Sequence, residues 1–518
     1  MVTDFFFPNL GGVESHVYNN SQCLILRGHK VVVVTHSYGR RSGVRYLAGG
    51  LKVYYVPAPI IVAQASLPTF FCTFAIFRNI FIREKIEIVH GHQAFSTFCH
   101  EAILHARSMG LKTVFTDHSL LGFADASGIL MNKLLKFTLS DINHVICVSH
   151  TSKENTVLRA ALDPRMVSAI PNAIVSDHFQ PKPLDLSANN QPDDWITIVA
   201  LSRLVYRKGM DLLTVAIPRI CKKHKNVRFL VGGEGPKRVD LEQMRERYNL
   251  HDRVELLGKV LTSQVRNILI RGDIFLNTSL TEAFCISLVE AASCGLLVVS
   301  TKVGGIPEVL PEHMIEFAKP EEDDIVNSIS KTIHKAMKRR KALSKSPING
   351  TDIQKTELGE SFYLNKSSSE TLLSPKNSNF GKSNLIKKPN SINSCLKDKS
   401  LASPQTFHGE VKKMYSWHNV AYRTEIVYYK IIDQPKLPLI ERLRLYYGCG
   451  RVAGKLFCMV AVVDFLLCVL FEWIWPTSKI EVAPNFPKAK YKKIMNDNLE
   501  RRNRMFKEQS LRNGLETK

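Results

Sequence analysis

Two stretches of the chain repeat the same alternation of apolar and amphipathic segments. Short β-branched runs, such as residues 112–118 and 196–201, predict buried strands, and the segments between such runs have the spacing of amphipathic helices. Regular strand–helix alternation is typical of a doubly wound, largely parallel α/β sheet. We therefore predict two Rossmann-like domains, at residues 1–176 and 195–337, joined by a polar, Pro-containing linker at 177–194.

The periodicity stops at residue 338. Residues 338–408 are rich in Ser, Asn and Lys, which predicts a disordered insertion. Helical spacing resumes at 409–435 and is followed by a basic, aromatic segment at 436–455, a composition suited to a membrane interface. The chain ends in a basic tail at 476–518.

Residues 456–475 form an almost uninterrupted apolar run that ends in Trp473 and Trp475. We predict a transmembrane helix, with a buried core helix as the alternative. Asp464 is the one charged residue between residues 456 and 471, and an unpartnered carboxylate at mid-bilayer costs roughly 3 kcal/mol. We therefore expect Asp464 to face another subunit.

A second apolar stretch, residues 60–82, falls where the first domain needs a helix. Gln64, Pro68 and Arg78 interrupt it, which argues against a membrane span. We predict a helix beside the acceptor side of the domain, with an exposed apolar face that docks on a bilayer surface. A core helix with an apolar loop is an equal alternative.

The composition limits the classes of partner. The chain has 518 residues, 45% of them hydrophobic, and a formal net charge of +23, which predicts anionic partners such as lipids or phosphorylated substrates. Because no zinc-spaced Cys/His cluster and no nucleic-acid motif is present, we do not expect a nucleic-acid partner. Eleven scattered cysteines and no evident leader peptide indicate buried thiols in a reducing compartment.

The strongest candidate chemistry lies in residues 279–308. Glu282 precedes a predicted helix that carries Glu290, and a short strand and Gly304-Gly305 follow. A helix N-terminus attracts a diphosphate, and two ionised carboxylates accept hydrogen bonds from sugar and ribose hydroxyls. A capped surface helix would explain either glutamate alone, but the pair with this spacing predicts a nucleotide-sugar site.

Two cations precede this stretch in the same domain. Arg203 and Lys208 follow the first strand of the second domain, and Gly232 opens a Gly-rich turn after the next strand. Two fixed cations beside a leaving diphosphate can do the work of a divalent metal ion. Since we find no metal-binding Asp-x-Asp at a strand end, we expect a reaction that needs no metal and no cofactor.

The first domain contributes weaker signals. Gly11-Gly12 before a helix lets backbone amides approach a phosphate or sugar, and His118 ends a strand at the edge where such sheets bind ligands. His90 and His92, two apart on the preceding strand, raise the possibility of a metal ion. We dismiss it, because the sequence shows no third ligand.

The motif Glu-x7-Glu in SLTEAFCISLVEAASCG resembles the donor-site signature of retaining glycosyltransferases with the GT-B fold. The longer wording, through VVSTKVGGIPEVLP, resembles the catalytic subunits of phosphatidylinositol N-acetylglucosaminyltransferases, which start glycosylphosphatidylinositol (GPI) anchor synthesis. The resemblance covers nearly all of residues 1–336 and again about 411–475. Broader relatives often carry Gly-Phe-Gly where this chain reads Ala283-Phe284-Cys285.

The resemblance implies substrates and surroundings that spacing cannot supply. It implies UDP-N-acetylglucosamine (UDP-GlcNAc) as donor and phosphatidylinositol as acceptor, with retention of configuration. It implies that 409–435 is the closing helix that crosses back to the first domain. It also implies a single-pass protein of the endoplasmic reticulum membrane with cytosolic catalytic domains, working with other subunits.

The resemblance also assigns roles within the site. Arg203 and Lys208 would hold the diphosphate, Glu290 the ribose and Glu282 the sugar, while Gly11, Gly12 and His118 would act from the opposite domain. Two alternatives stay open: a GT-B glycosyltransferase for another lipid or a soluble acceptor, and a membrane-anchored scaffold without catalytic activity.

Overall fold

A computed structural model describes residues 1–62, 64–120, 126–183, 195–345 and 402–487. Most of the predicted linker at 177–194, residues 346–401 of the predicted insertion at 338–408, and the tail from residue 488 lie outside the described residues. The two ends of that insertion are wrong as predicted, because residues 338–345 and 404–408 are helical. The described chain forms two α/β domains that face each other, followed by four helices.

The first domain has one helix before its first strand and then alternates strands with helices. Its elements are α1 (Gly12–Leu26), β1 (Val32–His36), β2 (Gly43–Tyr46), β3 (Lys52–Val56), β4 (Ile60–Val62), β5 (Ala65–Ser66), α2 (Phe74–Arg83), β6 (Ile88–His92), α3 (Thr97–Ser108), β7 (Lys112–Asp117), α4 (Ala126–Leu139), β8 (His144–Cys147), α5 (His150–Ala160) and β9 (Val167–Ala169). Strands β6, β7, β8 and β9 pair in parallel in that order, while β1 pairs with β3 and β3 with the antiparallel β2.

The mostly apolar run at residues 2–7 has the pattern of a strand, but it forms bridges at only one residue. Val2 alone bridges the two parts of the sheet, pairing with Val34 on one side and Gly91 on the other. The chain turns away at Asp4, whose carboxylate accepts hydrogen bonds from Ser96 Oγ at 2.9 Å and from the backbone N–H of Phe98 at 3.2 Å. Asp4 therefore satisfies the N-terminus of α3 instead of continuing the strand.

Residues 60–82 are not the single helix that the apolar pattern predicts. Strands β4 and β5 form a small antiparallel hairpin, and helix α2 begins only at Phe74. Gln64 has a φ of +72° and Pro68 cannot donate a backbone hydrogen bond, so the helix cannot extend towards residue 60. Helix α2 buries Phe74, Phe77 and Phe81 against the domain, so the alternative of a core helix with an apolar loop describes this stretch.

The second domain confirms the predicted doubly wound parallel sheet. Its elements are β10 (Ile196–Leu201), α6 (Met210–Lys223), β11 (Val227–Gly232), α7 (Arg238–Arg247), β12 (Val254–Gly258), α8 (Thr262–Leu269), β13 (Ile274–Asn277), α9 (Ile286–Ser293), β14 (Leu297–Thr301), β15 (Ile315–Ala318) and α10 (Glu322–Lys345). The strand order is β12-β11-β10-β13-β14-β15, with all pairs parallel. The pattern does not predict β15, which has only four residues.

Two helices, not one, return the chain to the first domain. Helix α11 (Pro404–Met414) packs on α9 of the second domain, and α12 (Trp417–Ile432) packs on α1 of the first. Between them Ser416 is extended, and the buried Tyr415 donates a hydrogen bond to the Val309 carbonyl at 2.5 Å. Glu425 of α12 accepts hydrogen bonds from Arg27 Nε at 2.9 Å and pairs with His29 at 2.8 Å, which fastens the crossing.

Helices α13 (Leu439–Tyr447) and α14 (Ala453–Ile474) complete the described chain and pack on the first domain. Within the described residues, α14 is the one helix long and apolar enough to cross a membrane, with a mean hydropathy of 2.3. The expectation that Asp464 faces another subunit is wrong, because Asp464 is fully buried and lies 2.6 Å from His105 Nδ1 of α3.

The chain beyond α14 also returns to the first domain. Glu472 pairs with Arg78 at 2.5 Å, and the Ala483 N–H donates to the Arg83 carbonyl at 2.8 Å. Both ends of α14 thus contact one domain, and the single crossing of the membrane stays a prediction.

Candidate active site

A cleft of about 820 Å³ separates the two α/β domains. Strand ends and helix N-termini from both domains line it, as expected for open parallel sheets. Six of the predicted site residues line this cleft: Gly11, Gly12, His118, Arg203, Lys208 and Glu282. The fold therefore brings together residues that are up to 271 positions apart in the sequence (from Gly11 to Glu282).

Lys208 and Glu282 form an ion pair at the centre of the second-domain wall. Ser279 Oγ donates to the same Glu282 oxygen at 2.9 Å, and Thr278 Oγ1 donates to the Lys208 carbonyl at 3.0 Å. Gly209 makes this fit possible, because its φ is +66° and a Cβ there would lie 1.7 Å from the Thr278 carbonyl oxygen. The loop after β10 is thus locked onto the loop after β13.

Arg203 lies in the same wall, and the Gly-rich turn after β11 supports its loop. The Leu204 N–H donates to the Glu234 carbonyl at 2.9 Å, and Gly233 approaches Ser202 so closely that a Cβ would lie 1.8 Å from its carbonyl oxygen. Gly232, which the sequence nominates for donor binding, instead packs against Leu201 and does not line the cleft. The Gly-rich turn after β11 therefore supports the loop that carries Arg203.

Two helix N-termini meet across the cleft. Helix α1 starts after Gly11 and α9 after Cys285, and neither has a side-chain cap. A Cβ on Gly12 would lie 3.5 Å from Ile286 Cδ1, so the two helix starts are close neighbours. The uncapped start of α9 and the positive dipole ends of both helices favour an anion, and at the start of α1 the carboxylate of Glu14 already lies near the first N–H groups.

Glu14 is a site residue that sequence reasoning missed. Its carboxylate folds back over Gly11, where a Cβ would lie 2.4 Å from Glu14 Oε2. Burial raises the pKa of Glu14, and the facing charge of Arg203 partly opposes that rise. Its position in the first turn after Gly11-Gly12 is the signal that could have found it.

Glu290 is separated from the other predicted donor residues. It lies in the second turn of α9, away from the lining of the cleft, and its carboxylate has no hydrogen-bonding partner in the described part of the chain. Burial raises the pKa of Glu290 to about 7. The carboxylate is therefore available to a ligand that reaches past the start of α9.

Two backbone features explain residue choices in the segment that carries Glu282 and Glu290. Cys285, at the position where the resembled glycosyltransferases often carry Gly, has a φ of +67°, a conformation that favours glycine. Gly304 and Gly305 lie against the backbone of Glu282 and Ala283, at 2.2 and 2.1 Å for added Cβ atoms. A Gly-Gly pair can let a loop approach a ligand closely, but these two glycines support the loop that carries Glu282.

His118 stands on the first-domain wall in a cluster of histidines. Its Nε2 lies 3.3 Å from His92 Nδ1, its ring is 4.6 Å from that of His16, and the rings of His90 and His92 stack at 4.2 Å. Burial lowers the pKa of His118 well below its ordinary value, and the other histidines add to the effect. His118 is therefore neutral at pH 7 and can exchange hydrogen bonds without carrying charge.

A third possible metal ligand lies in this cluster, although the sequence shows none. Ring nitrogens of His16, His92 and His118 lie within 4.8 Å of one another. One nitrogen of His16, Nδ1, lies 2.8 Å from Asn172 Oδ1, and His92 Nδ1 lies 3.3 Å from His118 Nε2. Independence of metal stays a prediction.

Solved structures share the two-domain fold of this chain. Sucrose-phosphate synthase from Thermosynechococcus elongatus aligns with a TM-score of 0.57 at 17% identity, covering 81% of this chain and 93% of that one. Anabaena HepE in complex with UDP aligns with a TM-score of 0.54 at 15% identity, covering 81% and 96%. The family described as glycosyl transferases group 1 matches residues 182–348. The fold and this match define the protein as a GT-B glycosyltransferase.

Sequence relatives narrow the class to one family. The gpi3 subunit of phosphatidylinositol N-acetylglucosaminyltransferase from Schizosaccharomyces pombe is 54% identical over 483 residues, 93% of this chain and 91% of the relative. A human relative, also named as one of the subunits of that enzyme, is 48% identical over 484 residues, 93% and 86% of the two chains. The family described as PIGA (GPI anchor biosynthesis) matches residues 36–125. The chain belongs to this family of phosphatidylinositol N-acetylglucosaminyltransferase subunits.

Proposed function

We propose that the protein transfers N-acetylglucosamine from UDP-GlcNAc to phosphatidylinositol, the first step of GPI anchor synthesis. The observation that carries the proposal is the convergence of Arg203, Lys208 and Glu282 with His118 on the two walls of one cleft. The family membership supports the choice of donor and acceptor, because the relatives are named for this transfer.

The donor diphosphate binds between the starts of α1 and α9. Arg203 and Lys208 lie beside this point and stabilise the charge that develops as the glycosidic bond breaks. Glu282, which holds Lys208, accepts hydrogen bonds from the sugar hydroxyls. Glu290, one turn deeper in α9, accepts hydrogen bonds from the ribose in its ionised form. Fixed cations supply the charge stabilisation, so the reaction needs no metal ion.

The acceptor enters from the first domain. The inositol hydroxyl attacks the anomeric carbon on the face that the diphosphate leaves, with a phosphate oxygen as the base, and the product retains its configuration. His118 is neutral, so it orients the transferred sugar through hydrogen bonds instead of acting as an acid. The histidines behind it fix its ring.

The family and helix α14 support a proposal for the cellular location and the partners of the protein. We propose that α14 anchors the protein in the endoplasmic reticulum membrane, with the catalytic domains at the cytosolic face where nucleotide sugars and reduced thiols occur. Because α14 contacts the first domain through Asp464 and Glu472, its outward face meets the lipid, and a single full crossing would require these contacts to separate. The relatives are named as subunits, which supports assembly with other chains.

A transfer assay tests the proposal. Membranes that contain the protein and its partner subunits are supplied with labelled UDP-GlcNAc and phosphatidylinositol, and the expected product is a labelled glycolipid with α configuration. Label on a soluble acceptor only would select a different glycosyltransferase. Absence of transfer together with absence of UDP binding in a titration would select the scaffold.

A further inference from the structure

The β4–β5 hairpin lies between the cleft and the surface of the first domain. Gln64, in its turn, lines the cleft together with Gly11 and Arg203. In the same hairpin, Ile60 and Ile61 are 45% and 59% exposed. One short segment thus presents an amide to the active site and large apolar side chains to the outside, a distribution that marks an interaction surface.

The following loop extends this apolar surface and is held rigidly. Leu67 and Phe70 are 45% and 40% exposed. The carboxylate of Glu101 in α3 accepts hydrogen bonds from the N–H groups of Thr69 at 2.6 Å and Phe70 at 2.8 Å. The exposed side chains are therefore not the tip of a loose loop.

The same network reaches the apolar helix α14. Thr73 donates to Glu101 and lies 3.4 Å from His105 Nε2, and His105 Nδ1 lies 2.6 Å from Asp464 of α14. Phe74, just after the loop, packs on Phe471 of α14 at 5.4 Å between ring centroids. The hairpin and its loop are thus mechanically tied to the helix that meets the membrane.

The chemistry of α14 selects a lipid as the occupant. Between Lys455 and Glu472 its outward residues are apolar, including Leu466, Val469 and Leu470. The exposed Trp473 and Trp475 follow as aromatic side chains typical of a membrane interface. Because the hairpin loop is fastened to this helix, a bilayer that takes up α14 also meets the apolar residues of the hairpin.

We propose that the β4–β5 hairpin and its loop form the entry through which a phospholipid acceptor reaches the cleft. The headgroup passes Gln64 into the cleft, while the acyl chains stay against Ile60, Ile61, Leu67 and Phe70. This inference rests on the proposed function and adds the route of the acceptor to it.

The test compares two forms of the same acceptor. The complete complex, with the double substitution Ile60→Ser and Ile61→Ser, is reconstituted in vesicles that contain long-chain phosphatidylinositol, and in parallel assayed with a short-chain, monomeric phosphatidylinositol. Because the substitution removes two half-exposed isoleucine side chains from contact with lipid, kcat/KM for the vesicle acceptor should fall about tenfold or more. Activity on the short-chain acceptor should stay within about twofold, because its headgroup still enters past Gln64.

A matched control has equally exposed apolar residues on other surfaces. Leu158→Ser with Val239→Ser removes side chains that are 71% and 53% exposed on α5 and α7, and should leave both activities unchanged. Equal activity of the Ile60/Ile61 variant and wild type on vesicles would overturn the proposal. An equal loss of activity on the vesicle and the short-chain acceptor would also overturn it, as would loss of partner subunits from the purified variant complex. If wild type itself made no product from either acceptor, the proposed function and not the entry route would be wrong.

Discussion

Replacing Lys208 by Met tests the charge at the centre of the cleft. Met keeps most of the length of the side chain and removes the ammonium that pairs with Glu282. The two side chains are 22% and 13% exposed, so their ion pair is partly screened and adds at most about 1 kcal/mol to folding. Glu282 also keeps its hydrogen bond from Ser279. The variant should therefore fold and melt almost as wild type does.

The expected effect on catalysis is far larger. Losing one preorganised donor that stabilises developing charge lowers turnover by about 10²–10³-fold, or roughly 3–4 kcal/mol. Because that charge develops as the bond breaks, kcat should fall more than the affinity for the donor. Labelled transfer to phosphatidylinositol in membranes measures kcat, and thermal unfolding of the purified complex measures stability.

A second lysine of the same domain supplies the control. Lys331 of α10 pairs with Glu316 at the surface, 2.5 Å away, and Lys331→Met should change neither turnover nor stability appreciably. Lys208→Arg keeps the charge and should recover part of the activity. Turnover within about threefold of wild type for Lys208→Met, in a folded complex, would refute the phosphate role of Lys208.

Three further predictions concern residues around this centre. Uridine should bind more tightly as pH rises from 6 to 8, because burial raises the pKa of Glu290 to about 7 and only the ionised carboxylate accepts hydrogen bonds from both ribose hydroxyls. Calorimetric titration of the Glu290→Gln variant should show a uridine affinity that does not change with pH. A pH dependence retained in that variant would contradict the assignment. Gly209→Ala should destabilise the protein by roughly 2–3 kcal/mol and abolish transfer, since the added Cβ meets the Thr278 carbonyl oxygen; normal melting would show that the loop adapts. Cys285→Gly should keep activity and raise the free energy of unfolding by up to about 1 kcal/mol, because glycine accepts the positive φ without strain. A lower melting temperature of this variant would mean that the thiol is needed for packing.

Periodicity located most strands and helices, because a buried parallel strand needs a continuous apolar run and a covering helix needs an apolar stripe. It failed where a few polar contacts outweigh the local pattern. Asp4 prevents a strand at residues 2–7 by satisfying the start of α3. Residues 60–82 divide because a positive φ at Gln64 and the position of Pro68 interrupt the helix. Such contacts join segments distant in sequence, so no local window contains them.

The candidate site also has residues that the sequence predicted and residues that it did not. Residue types and spacing selected Arg203, Lys208, Glu282 and His118, because the ends of parallel strands and the starts of helices meet at one edge of each sheet. Spacing could not show that Gly232 turns inward, nor that Glu14 faces Arg203 across the cleft. Those facts depend on how two separately folded domains are set against each other.

Local patterns of side chains are enough to predict two α/β domains, a membrane-length apolar helix and a set of cations and carboxylates suited to a sugar nucleotide. Which of these groups share one cleft, and that Asp464 meets His105 within the same chain, depends on the packing of segments that are distant in sequence. Burial makes that difference: a charged or polar group removed from water must have a partner, and the partner is chosen by packing between distant segments.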